Sequence, residues 1–150
     1  MRCAGVRAGE LVVDLGAGHG ALTSALVDAG ARVIAVELHP ERLATLRERF
    51  AGASVTVVRA DAASVRLPRR AFRVVANPPW AIADTIRVHL LRAPNMVRAD
   101  LVVPRWLARR WARASGRVEV GASLRAESFV PRAPTGSAVA IVHGRRAASR

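Results

Sequence analysis

Residues 10–20 read ELVVDLGAGHG, and their reading decides the fold. An apolar run carrying one acid, Asp14, gives way to glycines at 16, 18 and 20, which is how a buried strand enters a tight turn. Beyond the turn, Leu22, Ala25, Leu26 and Ala29 recur at i, i+3, i+4 and i+7, one face of a helix over residues 21–30. Glycines between a strand and a helix let the chain turn sharply. They also bring backbone N–H groups close to a ligand at the helix N-terminus. Gly16, Gly18 and Ala21 fit the dinucleotide pattern G-x-G-x-x-G/A as well. By itself, then, the loop marks an adenosine-containing cofactor or no more than a Gly-rich turn.

Outward from this stretch the same alternation continues. ARVIAVE (31–37) reads as a second strand, and PERLATLRERF (40–50) as a helix opened by its proline. SVTVVRAD (54–61) and FRVVAN (72–77) are the third and fourth strands. A helix over 82–92 buries Ile82, Ile86 and Leu90, and ADLVV (99–103) is a fifth strand. RWLARRWARA (105–114) is a short basic helix with Trp106 and Leu107 expected to face the core. VEVGASLRA and SAVAIVHG are two further strands, separated by the Pro-rich FVPRAPTG. The pattern predicts an α/β domain with about seven mostly parallel strands and helices on both faces. Ligands of such sheets sit at the carboxyl ends of the strands, where Asp14, Glu37, Asp61 and Asn77 all fall.

The 150 residues are expected to form a single domain and a monomer. No apolar run approaches the ~18 residues of a membrane span. The acids Glu10 and Asp14 interrupt any signal-peptide core, and Cys3 is the only cysteine, which suits a cytoplasmic protein. The net charge is +13 and every cation is arginine, so a polyanionic partner, a nucleic acid, is expected. Arg105, Arg109 and Arg113 recur at i, i+4 and i+8, and Arg69 and Arg70 add charge before the fourth strand. These five are the candidate RNA phosphate contacts. No histidine pairs with a carboxylate at metal-ligand spacing, so no metal is expected; His19 reads as an incidental loop residue.

The fourth strand ends in Asn77-Pro78-Pro79-Trp80. Pro78 holds Asn77 extended, and prolines present carbonyls without competing N–H donors. Asn77 Oδ1 and the Pro78 carbonyl can together accept both hydrogens of one –NH₂ group, while Trp80 offers a face for a base. Glu37, 21 residues beyond Gly16, can accept from both hydroxyls of a ribose, and Asp61 from the amine of an adenine. Such an arrangement suits N6-methylation of an adenine by S-adenosylmethionine, which needs positioning and electrostatics rather than a strong base. The bland alternative is a strand followed by a stiff turn.

These motifs, with ADLVV and the late F-V-P-R-A-P-T-G-S-A-V, resemble the rRNA adenine N6-dimethyltransferase superfamily, and within it the Erm-type 23S rRNA methyltransferases. The resemblance covers nearly the whole chain. It implies a Rossmann-like class I methyltransferase fold, S-adenosylmethionine as cofactor, 23S rRNA as partner and macrolide-type antibiotic resistance. It places cofactor contacts on Gly16, Glu37, Asp61 and Asn77 and the stacking aromatic on Trp80. Asp14 and Gly18 join the cofactor set, and Pro78 joins Asn77 and Trp80 in the catalytic set. The sequence departs from the pattern in four places. An upstream Gln-Asn-Phe segment and a helical C-terminal domain are expected to be missing. Trp80 stands where Tyr or Phe is usual, Pro134 comes one place late, and Thr135-Gly136 replaces Val-Asp. A small-subunit rRNA dimethyltransferase and a catalytically silent RNA-binding remnant are the alternatives. A protein-glutamine methyltransferase fits the basicity poorly, and a nicotinamide oxidoreductase leaves NPPW unexplained.

Overall fold

The computed structural model describes residues 5–126 and 135–145. Cys3 and the Pro-rich residues 129–134 lie outside them. The described chain alternates strands and helices: β1 (Leu11–Leu15), α1 (Ala21–Asp28), β2 (Arg32–Glu37), α2 (Pro40–Arg49), β3 (Val55–Arg59) and β4 (Phe72–Ala76). A single 3-10 turn at Trp80–Ile82 leads into α3 (Ala83–Arg92), followed by β5 (Met96–Pro104), α4 (Arg105–Ala114), β6 (Val118–Leu124) and β7 (Ser137–His143).

All five residues of β1 and all five of β4 are buried, the mark of strands covered on both faces. The sheet order is β3-β2-β1-β4-β5-β7-β6. Neighbours from β3 to β5 pair in parallel, and β7 runs antiparallel to both β5 and β6. Six strands therefore point one way and β7 alone the other. The predicted seven-stranded, mostly parallel sheet is the one observed.

Alternation along β1 divides the core. Val12 packs with Leu26 of α1 on one face, where Leu46 of α2 and Phe50 also lie. Leu11, Val13 and Leu15 share the other face with Ile86 and Leu90 of α3 and Leu107 and Trp111 of α4. Two expectations need correction. Strand β5 starts earlier and ends later than residues 99–103, because β4 pairs with it from Met96 and β7 from Arg98 to Pro104. Trp106 does not face the core: it is 60% exposed, and the buried indole is Trp111. The buried positions of α4 are Leu107, Ala108 and Trp111, a stripe that leaves Trp106 on the opposite side of the helix.

Candidate active site

Where β1, β2, β3 and β4 end, a cavity of about 500 Å³ opens. Gly16, Glu37, Asp61, Asn77, Pro78 and Trp80 all line it, so six of the expected residues meet at one sheet edge. Its floor and walls are otherwise largely apolar, from Val36, Leu38, Ala62 and Ile82. Three acceptor side chains over apolar walls match an adenosine, whose hydroxyls and amine donate and whose base is flat and weakly polar.

The glycine loop is shaped by what surrounds it. Gly16 has φ +77, and a Cβ there would meet Pro79 Cδ at 3.3 Å, so glycine lets the loop approach the NPPW segment. Gly20 has φ +92, and a Cβ would lie 2.6 Å from Phe50 Cε2. Both N–H groups of Gly16 and Ala17 donate to the Val36 carbonyl at 2.9 Å, carrying the β1–β2 pairing into the turn. Arg49 grips the loop from α2 by donating to the exposed His19's carbonyl at 2.9 Å.

Glu37 is held by the backbone. Its Oε2 accepts from Gly18 N–H at 2.8 Å, and its Oε1 from Leu38 and His39 N–H at 3.0 and 2.9 Å. Burial disfavours its ionised form, yet the His39, Gly18 and Leu38 donors and the charge of Arg42 outweigh that and hold the pKa below the usual value. Oε2 takes one protein hydrogen bond and keeps capacity for a ligand hydroxyl. Gly18 thus acts on the cavity through Glu37 rather than by lining it.

Asp14 does not reach the cavity lining. It is 1% exposed beneath the loop, where Thr23 Oγ1 of α1 donates to Oδ2 at 2.7 Å. Burial pushes its carboxyl up to about 7, against the Thr23 hydrogen bond and with a smaller push from the charge of Glu37. Asp61 is exposed at the cavity and accepts from Ala63 N–H at 2.9 Å.

The NPPW segment keeps its acceptors open. The Pro79 carbonyl is occupied by Ile82 N–H at 3.1 Å. Among the described residues nothing donates to Asn77 Oδ1 or to the Pro78 carbonyl. Trp80, half-buried, opens the 3-10 turn beside them.

The arginines divide. Arg69 and Arg70 precede β4, so they lie at the opposite sheet edge, a five-residue strand or ~17 Å from Asn77. Arg105 is half-buried, with Nε enclosed. Arg109 and Arg113 are exposed on α4. Residue-type reasoning missed three contributors: Leu38, 55% exposed at the cavity, Arg42, and Arg110, which is exposed between Arg109 and Trp111. An apolar residue directly after a strand-end acid was the available signal for Leu38. Among the described residues no His, Cys, Asp and Glu cluster could hold a metal ion, and no helix is long and apolar enough to cross a membrane.

Residues 12–92 match the family model described as a methyltransferase domain. The chain is 40% identical over 131 residues to ribosomal RNA small subunit methyltransferase A of Leifsonia xyli, covering 81% of this chain and 46% of that protein. It is 34% identical over 112 residues to the rRNA adenine N-6-methyltransferase of Streptomyces fradiae, covering 73% and 35%. The chain thus spans less than half the length of these curated relatives. Among solved structures, the 23S rRNA methyltransferase ErmE superposes with a TM-score of 0.85 at 28% identity, over 95% of this chain and 64% of that one. The cofactor of this fold class is S-adenosylmethionine. Sequence, sheet order and site agree, and the chain belongs to the methyltransferase domain family.

Proposed function

We propose that this domain methylates the N6 amine of an adenine in ribosomal RNA. One observation carries the reading: the two open acceptors of Asn77 and Pro78 share a cavity with Glu37 and Asp61. S-adenosylmethionine, when bound, supplies a methyl group on a sulfonium. Glu37 accepts from its ribose hydroxyls and Asp61 from its adenine amine, while Gly16 lets the loop close against Pro79 beside them. Adenine N6 is a poor nucleophile because its lone pair is delocalised into the ring. Asn77 Oδ1 and the Pro78 carbonyl accept its two hydrogens, favour a pyramidal nitrogen and aim the lone pair along the line of attack. Held there, the sulfonium would supply its methyl group to N6 and be left as a thioether, with one N6 proton passing to water. Trp80 stacks on the target base, which must be unpaired or flipped out to reach the site.

We take 23S rRNA as the substrate, with macrolide-type resistance as the consequence. RVVANPPW at the strand end and the likeness to the 23S rRNA methyltransferase ErmE support it. The second reading is small-subunit rRNA, favoured by the 40% identity to a small-subunit methyltransferase. Incubation of unmodified 30S and 50S particles and their naked RNAs with deuteromethyl-labelled S-adenosylmethionine separates them. Labelled N6-methyladenine in 23S rRNA alone is the expected result, label in 16S rRNA selects the second reading, and label in neither overturns both.

A further inference from the structure

The outer face of α4 is the one surface of the described chain that joins an exposed indole to a cluster of arginines. Trp106 is 60% exposed in the first turn of α4. Arg109, Arg110 and Arg113 follow at i+3, i+4 and i+7, so all three share the helix face of the indole, and all are exposed. The helix contains no acid. Carboxylates on the elements packed against it are already engaged: Asp84 with Arg87 at 3.1 Å, Asp100 with Arg98 and Arg73, and Glu119 with His143 at 3.1 Å. Arg109, Arg110 and Arg113 make no ion pair with any described residue. Burial of Leu107, Ala108 and Trp111 fixes the helix on the sheet and holds this face outward, with Trp111 Nε1 donating to Asp84 of α3 at 2.8 Å.

Position matters as much as composition. Strand β5 pairs with β4 and runs three residues past the Ala76–Leu101 pair to Pro104, where α4 begins. Trp106 therefore lies at the same sheet edge as Asn77, one strand over. An exposed indole flanked by cations suits an unpaired nucleotide, whose base stacks while its phosphates meet the arginines. A duplex offers phosphates but no free base face.

We propose that Trp106 is a stacking platform for an unpaired nucleotide flanking the target adenine, with Arg109, Arg110 and Arg113 holding the adjacent phosphates. The proposal rests on the ribosomal RNA reading above and adds a second base-binding position outside the cavity. Its partner is single-stranded RNA, recognised by base face and charge.

The test uses a fluorescein-labelled rRNA fragment that the wild-type protein methylates. Trp106→Ala is expected to weaken its binding about tenfold or more while leaving the salt dependence unchanged. Trp106→Phe is expected to recover most of that loss. Calorimetry with S-adenosylmethionine is expected to give the wild-type affinity in both variants, which shows the cavity intact. Abasic substitution at successive nucleotides beside the target adenine supplies a double-mutant cycle: at one position the Trp106→Ala penalty disappears, because the stacked base is already gone. Equal RNA affinity for wild type and Trp106→Ala, with methylation retained, overturns the platform and leaves the RNA reading standing. A uniform penalty at every abasic position also overturns it. If sedimentation shows that Trp106→Ala abolishes self-association without affecting RNA binding, the face belongs to a second copy of the chain. A wild-type protein that binds no RNA overturns both readings.

Discussion

Asp14, one residue before the end of β1, and Glu37, the last of the neighbouring parallel β2, are both nearly removed from water, at 1% and 7% exposure. Their carboxyls nevertheless move in opposite directions. Asp14 receives one side-chain hydrogen bond, from Thr23, and burial dominates, so its pKa rises to about 7. Glu37 receives three backbone N–H bonds, with Arg42 close by, and these overcome burial to keep it ionised. Position at a strand end does not set a carboxylate's role; the number of donors around it does. Asp14 ties the loop to α1, and Glu37 presents a fixed negative charge to the cavity.

The largest effect expected from this contrast is on stability against pH. The folded-state pKa of Asp14 lies above its unfolded value of 3.8, so the folded protein binds the proton more tightly. Stability from this group is complete below about pH 4 and is lost as pH rises to about 7, by up to about 4 kcal/mol. Glu37 has the opposite sign, losing its contribution as pH falls through its lowered pKa. Urea unfolding of the wild type and Asp14→Asn across this range is the measurement. The wild type is expected to lose stability relative to the variant as pH rises, because the substituted amide keeps an acceptor for Thr23 but does not titrate. Parallel pH profiles would remove Asp14 as the titrating group.

Next in size is the cavity-facing side of the contrast. Asn77 directly follows β4 with an open Oδ1, unlike the buried acid Asp14 beneath the loop. Asn77→Ala is expected to lower kcat on the order of a hundredfold, by analogy with loss of one preorganised transition-state hydrogen bond, with a smaller loss of cofactor affinity. Single-turnover methylation of the rRNA fragment reads the first and calorimetry the second. Full activity in the variant would return NPPW to a stiff turn after a strand.

The contrast also marks where the sequence is legible. Short apolar runs and the 3.6-period pattern locate the seven strands and four helices of the described residues, because central strands are buried on both faces and each helix buries one. They carry no information on direction, and the insertion of β7 antiparallel between β5 and β6 becomes visible only in the sheet. Glu37, Asp61 and Asn77 are readable because strand ends of an α/β sheet face its ligand edge. Asp14 obeys the same rule yet lies below the loop, since its Thr23 donor sits on α1, nine residues away. Trp106 departs from expectation for a simpler reason: residue type alone assigns an indole in a helix to the core. The spacing of Leu107, Ala108 and Trp111 already fixes the buried stripe, and Trp106 falls outside it.

A smaller effect is expected for the cavity-lining acid itself. On the proposed binding mode Glu37→Ala removes the acceptor for two hydroxyls and is expected to weaken S-adenosylmethionine binding by roughly tenfold or more, at ~1.5–3 kcal/mol for charge-assisted hydrogen bonds. Asp14→Asn is expected to leave that affinity within about twofold, since Asp14 does not line the cavity. Equal losses from the two substitutions, measured by calorimetry at one pH, would erase the division between them.

The smallest effect tests the cause of the contrast rather than its consequence. If donors decide the ionisation of these acids, taking away the one side-chain donor to Asp14 among the described residues must move it further from Glu37. Thr23→Val keeps the branched shape but loses the Oγ1 donor that lies 2.7 Å from Oδ2. At low pH Asp14 is protonated, and the variant is expected to lose only about 1 kcal/mol, the worth of a neutral hydrogen bond. Above pH 7 the same bond stabilises a buried carboxylate, so the loss grows with pH. The Asp14 midpoint is then expected to rise by about one pH unit. Carbon-detected NMR titration of the Asp14 carboxyl reads that midpoint directly. An unchanged midpoint would mean that burial alone sets Asp14, and that donor number does not separate it from Glu37.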